Sequence, residues 1–558
     1  MKRLNFMSSA LVAALALTVA HTPPARADSA ATPVELRILA INDFHGYLQP
    51  PPGGLALPDP LHKDKKQHVE AGGAEHMATL VKQLRDNRPH AIFVAAGDLI
   101  GASPFLSAMF HDEPTIESLS MMGLALSAVG NHEFDEGRTE LLRMQNGGCH
   151  PVDGCRGPHP FLGAKFNYLA ASTIDTQTGQ PILPAYQIKE FSGIPVGFIG
   201  LTLKATPKLV SPPGVAGLEF RDEAETVNAL VPELKARGVE AIVVLIHEGG
   251  FPTGGPNECP EISGPIVDIV AKLDRAVDLV ITGHTHQSYV CRIDGRLVTS
   301  GDKYGTLVTA IDLKLDPATR DVVSANAENI VVRTELAKDP AQTKLIADYA
   351  RIAGPLAARP SGSITAALSR QPNEAGESVL GNIVADAHLA ATSDAAKGGA
   401  VIAFTNPGGI RSGIPMQSDG KVSYGEVFAS QPFRNQLVTV TLTGAQLKQA
   451  LEQQWSDPAR PRVLQVSRGF SYTWNAAAPF GSRIVAPEMR LAGVPIDSEQ
   501  NYRVTLNSFL AVGGDGFTVF KDGVDPHVGG YDVDALDVYF RTNSPLSPTP
   551  LDRIRRLD

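Results

Sequence analysis

The sequence predicts an α/β protein with two domains. From residue 32 to about residue 332, short apolar runs rich in β-branched residues alternate with amphipathic stretches such as 74–87 and 222–237. Runs that are apolar at every position are typical of strands buried on both faces, and their alternation with helices is typical of a sheet covered by helices. A chain of 558 residues also exceeds the size that one hydrophobic core usually reaches, so a second domain is expected.

Five of these apolar runs end abruptly in polar residues that carry nitrogen or oxygen ligand atoms. Because the carboxyl ends of parallel strands meet along one crevice, side chains that follow several strands are expected to converge there. Histidine and carboxylate in this pattern indicate a metal-dependent hydrolase. The five runs are followed by Asp43 and His45, by Asp98, by Asn131, His132 and Asp135, by His247, and by His284 and His286.

The predicted crevice offers enough ligands for two divalent ions that share one carboxylate. Imidazole and carboxylate ligands suit Zn, Mn, Fe or Ni. Two ions about 3.5–4 Å apart can bind a phosphate oxygen and provide a hydroxide that attacks phosphorus in line. We assign Asp43, His45, Asp98 and His286 to one ion, and Asp98, Asn131, His247 and His284 to the other.

His132 directly follows the predicted ligand Asn131, so its side chain should diverge from that ligand. We expect His132 to donate a hydrogen bond to the phosphoryl oxygens or to the leaving group. Asp135 is close enough in sequence to orient the imidazole and to favour its charged form. One such histidine alone is more often a structural residue than a metal ligand, but the joint pattern at five strand ends favours the two-metal interpretation.

The composition is that of an ordinary globular protein, with 43% hydrophobic and 19% charged residues. The formal net charge of -10 argues against a nucleic-acid polymer as partner, because such a partner requires a basic face. It leaves a small nucleotide as a possible substrate, since a few local groups are enough to bind one.

The first 27 residues are expected to be a signal peptide. Lys2 and Arg3 precede an apolar stretch over 10–20, and ARA at 25–27 fits a small-x-small cleavage site. The alternative is an uncleaved anchor, but the apolar stretch is shorter than the about 20 residues that a spanning helix needs. We find no lipid-anchor signal at the C-terminus, and therefore expect a periplasmic or secreted protein without a membrane anchor.

The four cysteines allow three pairings. Cys149 and Cys155 bracket a short loop, whereas Cys259 lies in a loop after the His247 run and Cys291 lies just past the His284 run. Export would permit disulfides, so we predict Cys149–Cys155 and Cys259–Cys291. Free buried thiols are a less favoured alternative because these loops look exposed, and a four-cysteine metal site lacks its usual C-x2-C spacing.

We predict three segments in the mature chain. Residues 28–337 form the domain with the strand-end ligands. Residues 338–360 form a linker helix, with Asp339-Pro340 at its start and Gly354-Pro355 near its end. Residues 361–558 form a second α/β domain without further Asp or His ligands at strand ends.

The second domain has features of a nucleoside site. A glycine-rich turn, NPGGIR, follows an apolar run and ends in Arg411, which suits an anion or polar group. Phe433 stands in a polar turn, and Phe509 precedes a glycine-rich loop with Asp515. Two rings can sandwich a base and a carboxylate can accept from ribose hydroxyls. Taken singly, each phenylalanine is more often a core residue and the glycine loop is more often a plain turn.

The motifs NDFHG, GD, GNHEFD, H and GHTH, in this order, resemble the calcineurin-like metallophosphoesterases, and with the second domain they resemble the 5′-nucleotidase family. The resemblance covers about 34–540. It implies a four-layer α/β/β/α sandwich, a smaller α/β substrate-binding domain, and rotation between open and closed domain arrangements. It implies the metal ligands given above and a His132–Asp135 catalytic pair. It also implies a substrate pocket made of Asn406, Gly408, Arg411, Phe433, Phe509, Gly513 and Asp515.

One departure from the family's pattern concerns the segment GESVLGNIVADA. Ecto-5′-nucleotidases have an arginine immediately before its glutamate, whereas this chain has Gly376. Arg370, six residues earlier, is a candidate replacement in the pocket, and the alternative is a solvated surface residue. Because the family's arginine contacts the phosphate side, the departure bears on the substrate range.

The leading hypothesis is an exported, two-metal 5′-nucleotidase that releases nucleoside and phosphate for nucleotide salvage. The catalytic alternative is a UDP-sugar or NAD diphosphatase, or a 2′,3′-cyclic-nucleotide phosphodiesterase. A non-catalytic binding or adhesion protein is the alternative of a different class, and the complete ligand set argues against it. We expect a monomer or a homodimer.

Overall fold

The structure is a computed structural model that describes residue 1 and residues 32–59, 65–458 and 460–558. The predicted signal peptide lies outside the described residues, apart from Met1. The strands of the first domain are β1 (Val34–Ile41), β2 (Leu55–Pro58), β3 (Lys66–Val69), β4 (Ala91–Ala95), β5 (Leu124–Ala128), β6 (Asn167–Leu169), β7 (Thr173–Asp175), β8 (Tyr186–Phe191), β9 (Ile194–Thr202), β10 (Leu218–Phe220), β11 (Ala241–His247), β12 (Val277–Thr282), β13 (Ser288–Ile293), β14 (Arg296–Gly301), β15 (Leu307–Leu315) and β16 (Val322–Val331). Its helices are α1 (Ala74–Arg85), α2 (Phe105–Ala108), α3 (Glu113–Met121), α4 (Arg138–Asn146), α5 (Glu223–Ala236) and α6 (Pro265–Lys272).

Two six-stranded sheets form the centre of this domain. Their strand orders are β16-β15-β1-β4-β5-β6 and β13-β14-β12-β11-β9-β8. One apolar cluster, with Ile38 and Val243, fills the space between the sheets. A second cluster packs α1, α3 and α4 on the outer face of the first sheet, and a third packs α5 and α6 on the outer face of the other. The four-layer α/β/β/α arrangement is therefore confirmed.

The apolar runs of the sequence are the parallel central strands of both sheets. β1, β4 and β5 pair in parallel, and so do β9, β11 and β12. All seven residues of β11 are buried. This position between two layers explains why these runs do not alternate between apolar and polar residues.

Aspartate caps define the starts of two predicted helices. Asp222 accepts a hydrogen bond from Glu225 N–H before α5, which begins one residue after the predicted start. Asp339 accepts from the Ala341 and Gln342 N–H groups before α7 (Pro340–Ala357). Such caps satisfy N–H groups that have no partner within the first helical turn. Within the described part of the chain, no helix is both long and apolar enough to cross a membrane.

The second domain combines a five-stranded sheet, a four-stranded sheet and a short strand pair. The sheet orders are β21-β18-β25-β20-β26, β24-β23-β22-β27 and β17-β19. Its strands are β17 (Pro360–Ser363), β18 (Ile402–Thr405), β19 (Lys421–Ser423), β20 (Gln436–Thr443), β21 (Gln465–Val466), β22 (Phe470–Asn475), β23 (Arg490–Leu491), β24 (Val494–Pro495), β25 (Asn501–Asn507), β26 (Val524–Tyr531) and β27 (Ile554–Leu557). Its helices are α8 (Val379–Thr392), α9 (Tyr424–Ser430), α10 (Gly444–Glu452), α11 (Ser508–Ala511) and α12 (Asp532–Asn543).

Helix α7 is packed between the two domains. Leu345 and Tyr349 of α7 belong to one apolar cluster with residues of both domains. Phe105 of the first domain makes edge-to-face contacts with Tyr424 and Phe428 of the second, with ring centroids 5.5 and 5.2 Å apart. This apolar contact brings the second domain over the strand ends of the first.

Both predicted disulfides are present, Cys149–Cys155 and Cys259–Cys291. One part of their prediction was wrong, because Cys291 does not lie in an exposed loop. It lies on β13 and is buried. The second disulfide therefore ties the loop after β11 to an edge strand of the same sheet.

Arg553 provides a test of the second domain's stability. Its guanidinium donates two hydrogen bonds, of 2.7 and 2.9 Å, to the buried Asp386 carboxylate. We expect Arg553→Ala to lower the free energy of unfolding by about 3–5 kcal/mol, because it leaves Asp386 buried without its cation. Both tryptophans, Trp455 and Trp474, lie in this domain's core, so tryptophan fluorescence in a urea titration reports its unfolding.

The matched control is Arg555→Ala, two residues further along the chain, in β27 and exposed. It should change the free energy of unfolding by less than about 0.5 kcal/mol. Equal urea midpoints of unfolding for the two variants would show that the Arg553–Asp386 pair does not stabilise the second domain.

Candidate metal centre and interdomain cavity

The predicted ligands converge where the central strands of both sheets end. The first sheet contributes residues after β1, β4 and β5, and the second sheet contributes the last residue of β11 and residues after β12. Each of the four histidines in the set belongs to a group of potential ligand atoms that lie within 4.8 Å of one another. The residues brought together are Asp43, His45, Asp98, Asn131, His247, His284 and His286.

The distances separate two neighbouring clusters that meet at Asp98. In one, His286 Nε2 lies 3.1 Å from His45 Nε2 and 3.3 Å from Asp43 Oδ1. In the other, Asp98 Oδ2 lies 2.9 Å from His247 Nε2. The same Asp98 oxygen is 3.7 Å from His45 Nε2. In this arrangement Asp98 lies between the two predicted ligand groups.

Backbone carbonyls orient two of the imidazoles. His45 Nδ1 lies 2.8 Å from Gly101 O, and His247 Nδ1 lies 2.7 Å from Ala96 O. Each Nδ1 donates its proton to that carbonyl, so a neutral ring presents the lone pair of its Nε2 atom to the cluster. Burial would lower the pKa of His247, but the neighbouring Asp98 carboxylate outweighs it and raises the pKa to about 10, so His247 must lose a proton to bind an ion. Metal-bound histidines are usually oriented in this way.

The donor set fits a cation. His247 Nε2 and Asn131 Oδ1 are buried and make no hydrogen bond of normal geometry with the residues that the structure describes, although His247 Nε2 lies 2.9 Å from Asp98 Oδ2. Buried polar atoms without partners are rare, because their desolvation is not compensated. Since both atoms belong to predicted ligands, a bound divalent ion would satisfy them.

Burial keeps most of the imidazoles neutral. It lowers the pKa of His45 and His286 well below the usual value and, with the nearby His247, lowers that of His284 to about 3. Burial alone would raise the pKa of Asp98, but His247 and other histidines outweigh it, and the pKa lies well below the usual value. Neutral imidazoles around an ionised carboxylate are the forms that bind metal ions.

The backbone is strained at most of the ligand positions. Asp43, His45, Asp98, His284 and His286 have φ between 47° and 69°, a left-handed region that non-glycine residues rarely adopt. Such conformations persist only where surrounding contacts enforce them, and they cluster at functional sites. Each ligand-bearing turn therefore depends on its neighbours for its shape.

Glu133 is the principal positioning residue that the sequence interpretation missed. Its buried carboxylate accepts hydrogen bonds from the N–H groups of Asp98, Leu99 and Gly130, at 2.7–3.0 Å. It thereby joins the turns after β4 and β5. Its place inside the NHEFD motif was the available signal. Asn42 acts similarly, and donates to Asp43 Oδ2 at 2.7 Å.

Two of the glycines that precede predicted ligands lie so close to neighbouring atoms that a larger residue would clash. A Cβ on Gly130 would lie 2.2 Å from Asp98 Oδ1, and one on Gly283 would lie 2.9 Å from Ala96 O. Gly97 differs, because its φ of 84° itself favours glycine. These positions leave no room for a side chain between the strand ends.

The His132 imidazole lies beside the metal cluster and is bound to Asp135. Its Nδ1 is 2.7 Å from Asp135 Oδ2. Burial would lower the pKa of His132, but the Asp135 and Asp98 carboxylates outweigh it and raise the pKa. The expected orientation by Asp135 is thus present, and the protonated ring is favoured.

A cavity of about 210 Å³, which we call the interdomain cavity, connects this histidine to the second domain. The first domain contributes Asn131, His132, Asp135 and His284 to its lining. The predicted substrate residues that line it are Asn406, Gly408, Arg411, Phe433, Phe509 and Asp515.

Two predicted substrate residues are placed differently. Gly513 does not line the interdomain cavity; it forms the turn before Asp515, with φ 84°. Arg370 lines a neighbouring cavity, and donates a 3.1 Å hydrogen bond to the carbonyl of Ile410, the residue before Arg411.

Hydrogen bonds among the lining residues hold the second-domain side of the interdomain cavity in place. Asn406 donates to Asp515 Oδ2 at 2.7 Å and accepts from Asn507 Nδ2 at 3.0 Å. The Phe433 ring stacks on His132, with centroids 5.8 Å apart. Neither asparagine contact nor the histidine stack was expected from the sequence.

Comparison with known proteins agrees with this geometry. The family model of the calcineurin-like phosphoesterases matches residues 36–288, and that of the 5′-nucleotidase C-terminal domain matches residues 354–522. The protein is accordingly a metal-dependent phosphoesterase of the calcineurin-like class.

Relatives cover nearly the whole described chain. The cell wall protein Lmo0130 of Listeria monocytogenes is 32% identical over 90% of this chain and 67% of its own. Endonuclease YhcR of Bacillus subtilis is 31% identical over 94% of this chain, which spans only 41% of that longer protein. The structure of a 5′-nucleotidase precursor from Thermus thermophilus has a TM-score of 0.75 at 26% identity, over 94% of this chain and 99% of that one. The chain belongs to the 5′-nucleotidase family.

Two further histidines, His111 and His150, contact the loop that follows Asp135. His111 Nδ1 lies 2.7 Å from Glu136 Oε2, and its Nε2 lies 2.9 Å from Asp153 Oδ2. Burial opposes the charged ring, but the hydrogen bonds to both carboxylates raise the pKa of His111. The neighbouring His150 uses its Nδ1 to accept the Val152 and Asp153 N–H groups. His111 therefore forms ion pairs with Glu136 and Asp153, and His150 packs beside this cluster.

This cluster predicts a pH-dependent contribution to stability. Because the folded pKa of His111 is raised, its contribution is complete below the unfolded value of about 6.5 and is lost as the pH rises through the folded value. The decrease in Tm caused by His111→Gln should therefore be larger at about pH 5.5 than at about pH 9. Differential scanning calorimetry measures both. The exposed His159→Gln is the control, and a His111→Gln effect independent of pH would contradict the prediction.

Proposed function

We propose that the protein is an exported 5′-nucleotidase that uses two divalent ions to hydrolyse nucleoside phosphates to nucleoside and phosphate. The observation that carries this proposal is the interdomain cavity, whose lining joins His132 and Asn131 to the Phe433, Phe509 and Asp515 side chains. A nucleoside held by the second domain has its 5′ substituent directed to the strand ends of the first.

The two ions would be held by the ligand sets meeting at Asp98. When bound, they supply Lewis-acid stabilisation of the phosphoryl group and an activated water. Zn or Mn suits the mixture of imidazole, carboxylate and amide donors. The inward lone pairs of His45 and His247 support this assignment.

His132 serves as the hydrogen-bond donor to the leaving group. Its raised pKa favours the protonated ring at neutral pH, and Asp135 holds Nδ1 so that Nε2 is free to donate. As the P–O bond breaks, negative charge develops on the leaving 5′ oxygen. A cationic donor at that atom stabilises the transition state more than the ground state.

The second domain binds the nucleoside. Phe433 and Phe509 provide half-buried ring faces for the base, and Asp515 accepts from the ribose hydroxyls. Asn406 fixes the Asp515 carboxylate through its 2.7 Å hydrogen bond. Arg411 contributes positive charge on the phosphate side, with Gly408 allowing close approach. Gly513 contributes by forming the turn that places Asp515, and Arg370 adds positive charge beside Arg411.

Export is a further part of the proposal. It rests on the signal-peptide pattern over 1–27 and on two disulfides, which persist in oxidising compartments. The physiological role is then salvage of extracellular nucleotides. The catalytic alternatives are hydrolysis of UDP-sugars or NAD, or of 2′,3′-cyclic nucleotides. The departure at Gly376 supports keeping them, because it alters the phosphate side of the pocket.

Metal content tests the two-ion assignment. After EDTA treatment and reconstitution with Zn²⁺ or Mn²⁺, we expect two ions per chain by inductively coupled plasma mass spectrometry. His247→Ala should retain about one, because the removed ligand belongs to one of the two sets. His527→Ala, in the second domain, is the control and should retain two. One ion in the wild type would refute the assignment.

Activity tests the function. We would measure phosphate release by the reconstituted protein from AMP, UMP, ATP, UDP-glucose, NAD and 2′,3′-cyclic AMP. EDTA-sensitive release that favours monophosphates is expected, and His132→Ala should lower kcat by about 10²–10⁴-fold. Preferential cleavage of UDP-glucose or NAD would instead support the diphosphatase. No release from any substrate with both ions bound would reject the proposal.

A further inference from the structure

A second cavity, of about 710 Å³, adjoins the predicted metal cluster at His286. We call it the basic cavity. Its lining includes Arg370, Arg411 and Lys303, with Lys65 and Lys66 from the exposed β2–β3 hairpin. Among its described lining residues, Asp302 is the one carboxylate. The proposed function assigns His286, Arg370 and Arg411 from this lining and leaves Lys303, Lys65 and Lys66 without a role.

The cations of the basic cavity outnumber its carboxylates. Within the described ranges, Arg370, Arg411 and Lys303 form no ion pair closer than 4 Å, and Asp302 is the one carboxylate near Lys303 among the described lining residues. The printed contacts of the three cations are with neutral groups: Arg370 with Ile410 O, Arg411 with the Phe433 ring and Lys303 with the Tyr304 ring. The excess of positive charge favours binding of an anion in this cavity.

The basic cavity is continuous with the reacting centre. His286 lines it and also belongs to the first metal cluster. Arg411 lines both cavities. The Tyr304 ring, which carries the Lys303 ammonium 5.1 Å from its centroid, packs 5.8 Å from the His286 ring. A phosphorus held between His132 and His286 therefore has the interdomain cavity on one side and the basic cavity on the other.

We propose that the basic cavity binds a further phosphate group of the substrate, attached to the phosphorus under attack, so that nucleoside triphosphates are cleaved at the β phosphorus. This inference rests on the proposed function. The nucleoside and its α phosphate occupy the interdomain cavity, and the γ phosphate occupies the basic cavity.

The bond changes balance without another reactant. A water oxygen bonds to the β phosphorus while the bond from that phosphorus to the αβ-bridging oxygen breaks. The electron pair remains with the α phosphate, so ATP and water yield AMP, pyrophosphate and a proton. AMP is then a substrate for the proposed nucleotidase reaction. Without the basic cavity, ATP would bind through its terminal phosphorus and yield ADP and phosphate.

The chemistry favours a phosphate over a neutral sugar. Arginine and lysine bind phosphate oxygens with charge-assisted hydrogen bonds, whereas sugars are usually bound by carboxylates and amides as well. Asp302 Oδ2 accepts a hydrogen bond from Thr306 Oγ1 at 3.1 Å, and it is the one carboxylate among the described lining residues. The charged side chains of the basic cavity are thus mainly cationic.

The test is the identity of the first products from ATP. In a rapid-quench experiment analysed by ion chromatography, the wild type should release AMP and pyrophosphate before phosphate. In Lys303→Gln the ratio of pyrophosphate to ADP should fall about tenfold, as expected for loss of one charge-assisted hydrogen bond. Lys303→Arg should restore the ratio. The exposed Lys314→Gln, at the opposite end of the first sheet, is the matched control.

A second measurement does not depend on turnover. Inorganic tripolyphosphate, titrated calorimetrically into EDTA-treated protein, should bind about tenfold more weakly to Lys303→Gln than to wild type and the Lys314→Gln control. ADP and phosphate as first products, or equal tripolyphosphate affinity in all three proteins, would overturn the inference. Normal AMP hydrolysis with ADP formed from ATP would leave the proposed function standing and reject only the basic cavity. Absence of all hydrolysis would reject the proposed function, and calorimetry would still decide the cavity.

Discussion

The structure depends on keeping the seven polar side chains of the predicted metal centre together in a buried crevice. Asp98 is central, because its carboxylate lies between the two clusters and is stabilised by surrounding histidines. Burial makes such a group costly unless its charge is compensated. Five of the ligands also stand in strained backbone conformations. The two sheets supply the rigid strand ends that hold these turns, and Glu133 joins two of them through three N–H groups.

The apolar contact between the domains serves the same crevice. Helix α7 and Phe105 pack against the second domain, which brings Phe433 over His132. The first domain contributes the predicted metal ligands. The second domain contributes Phe433, Phe509 and the Asp515 carboxylate, which Asn406 holds in place. The interdomain cavity therefore forms only where the domains meet.

The two cavities divide the surroundings of the reacting centre by charge. The interdomain cavity combines aromatic rings, amides and one carboxylate, which suits a nucleoside. The basic cavity combines five lysine and arginine side chains with one carboxylate among its described lining residues, which suits phosphate. Arg411 lines both cavities. Under the two proposals, the length of the phosphate chain would select which phosphorus lies at the predicted metal centre.

The sequence by itself determined the α/β class, the strand-end ligands, the capped starts of α5 and α7, and the cysteine pairs. These follow from local signals: apolar runs, Asp caps and residue types at strand ends. Only the tertiary structure decided the role of Glu133, the burial of Cys291 and the separation of Arg370 from the interdomain cavity. It alone brought Lys303 to the same space as Arg370 and Arg411. Such relationships join residues far apart in the chain, and they depend on how sheets and domains pack, which no local pattern records.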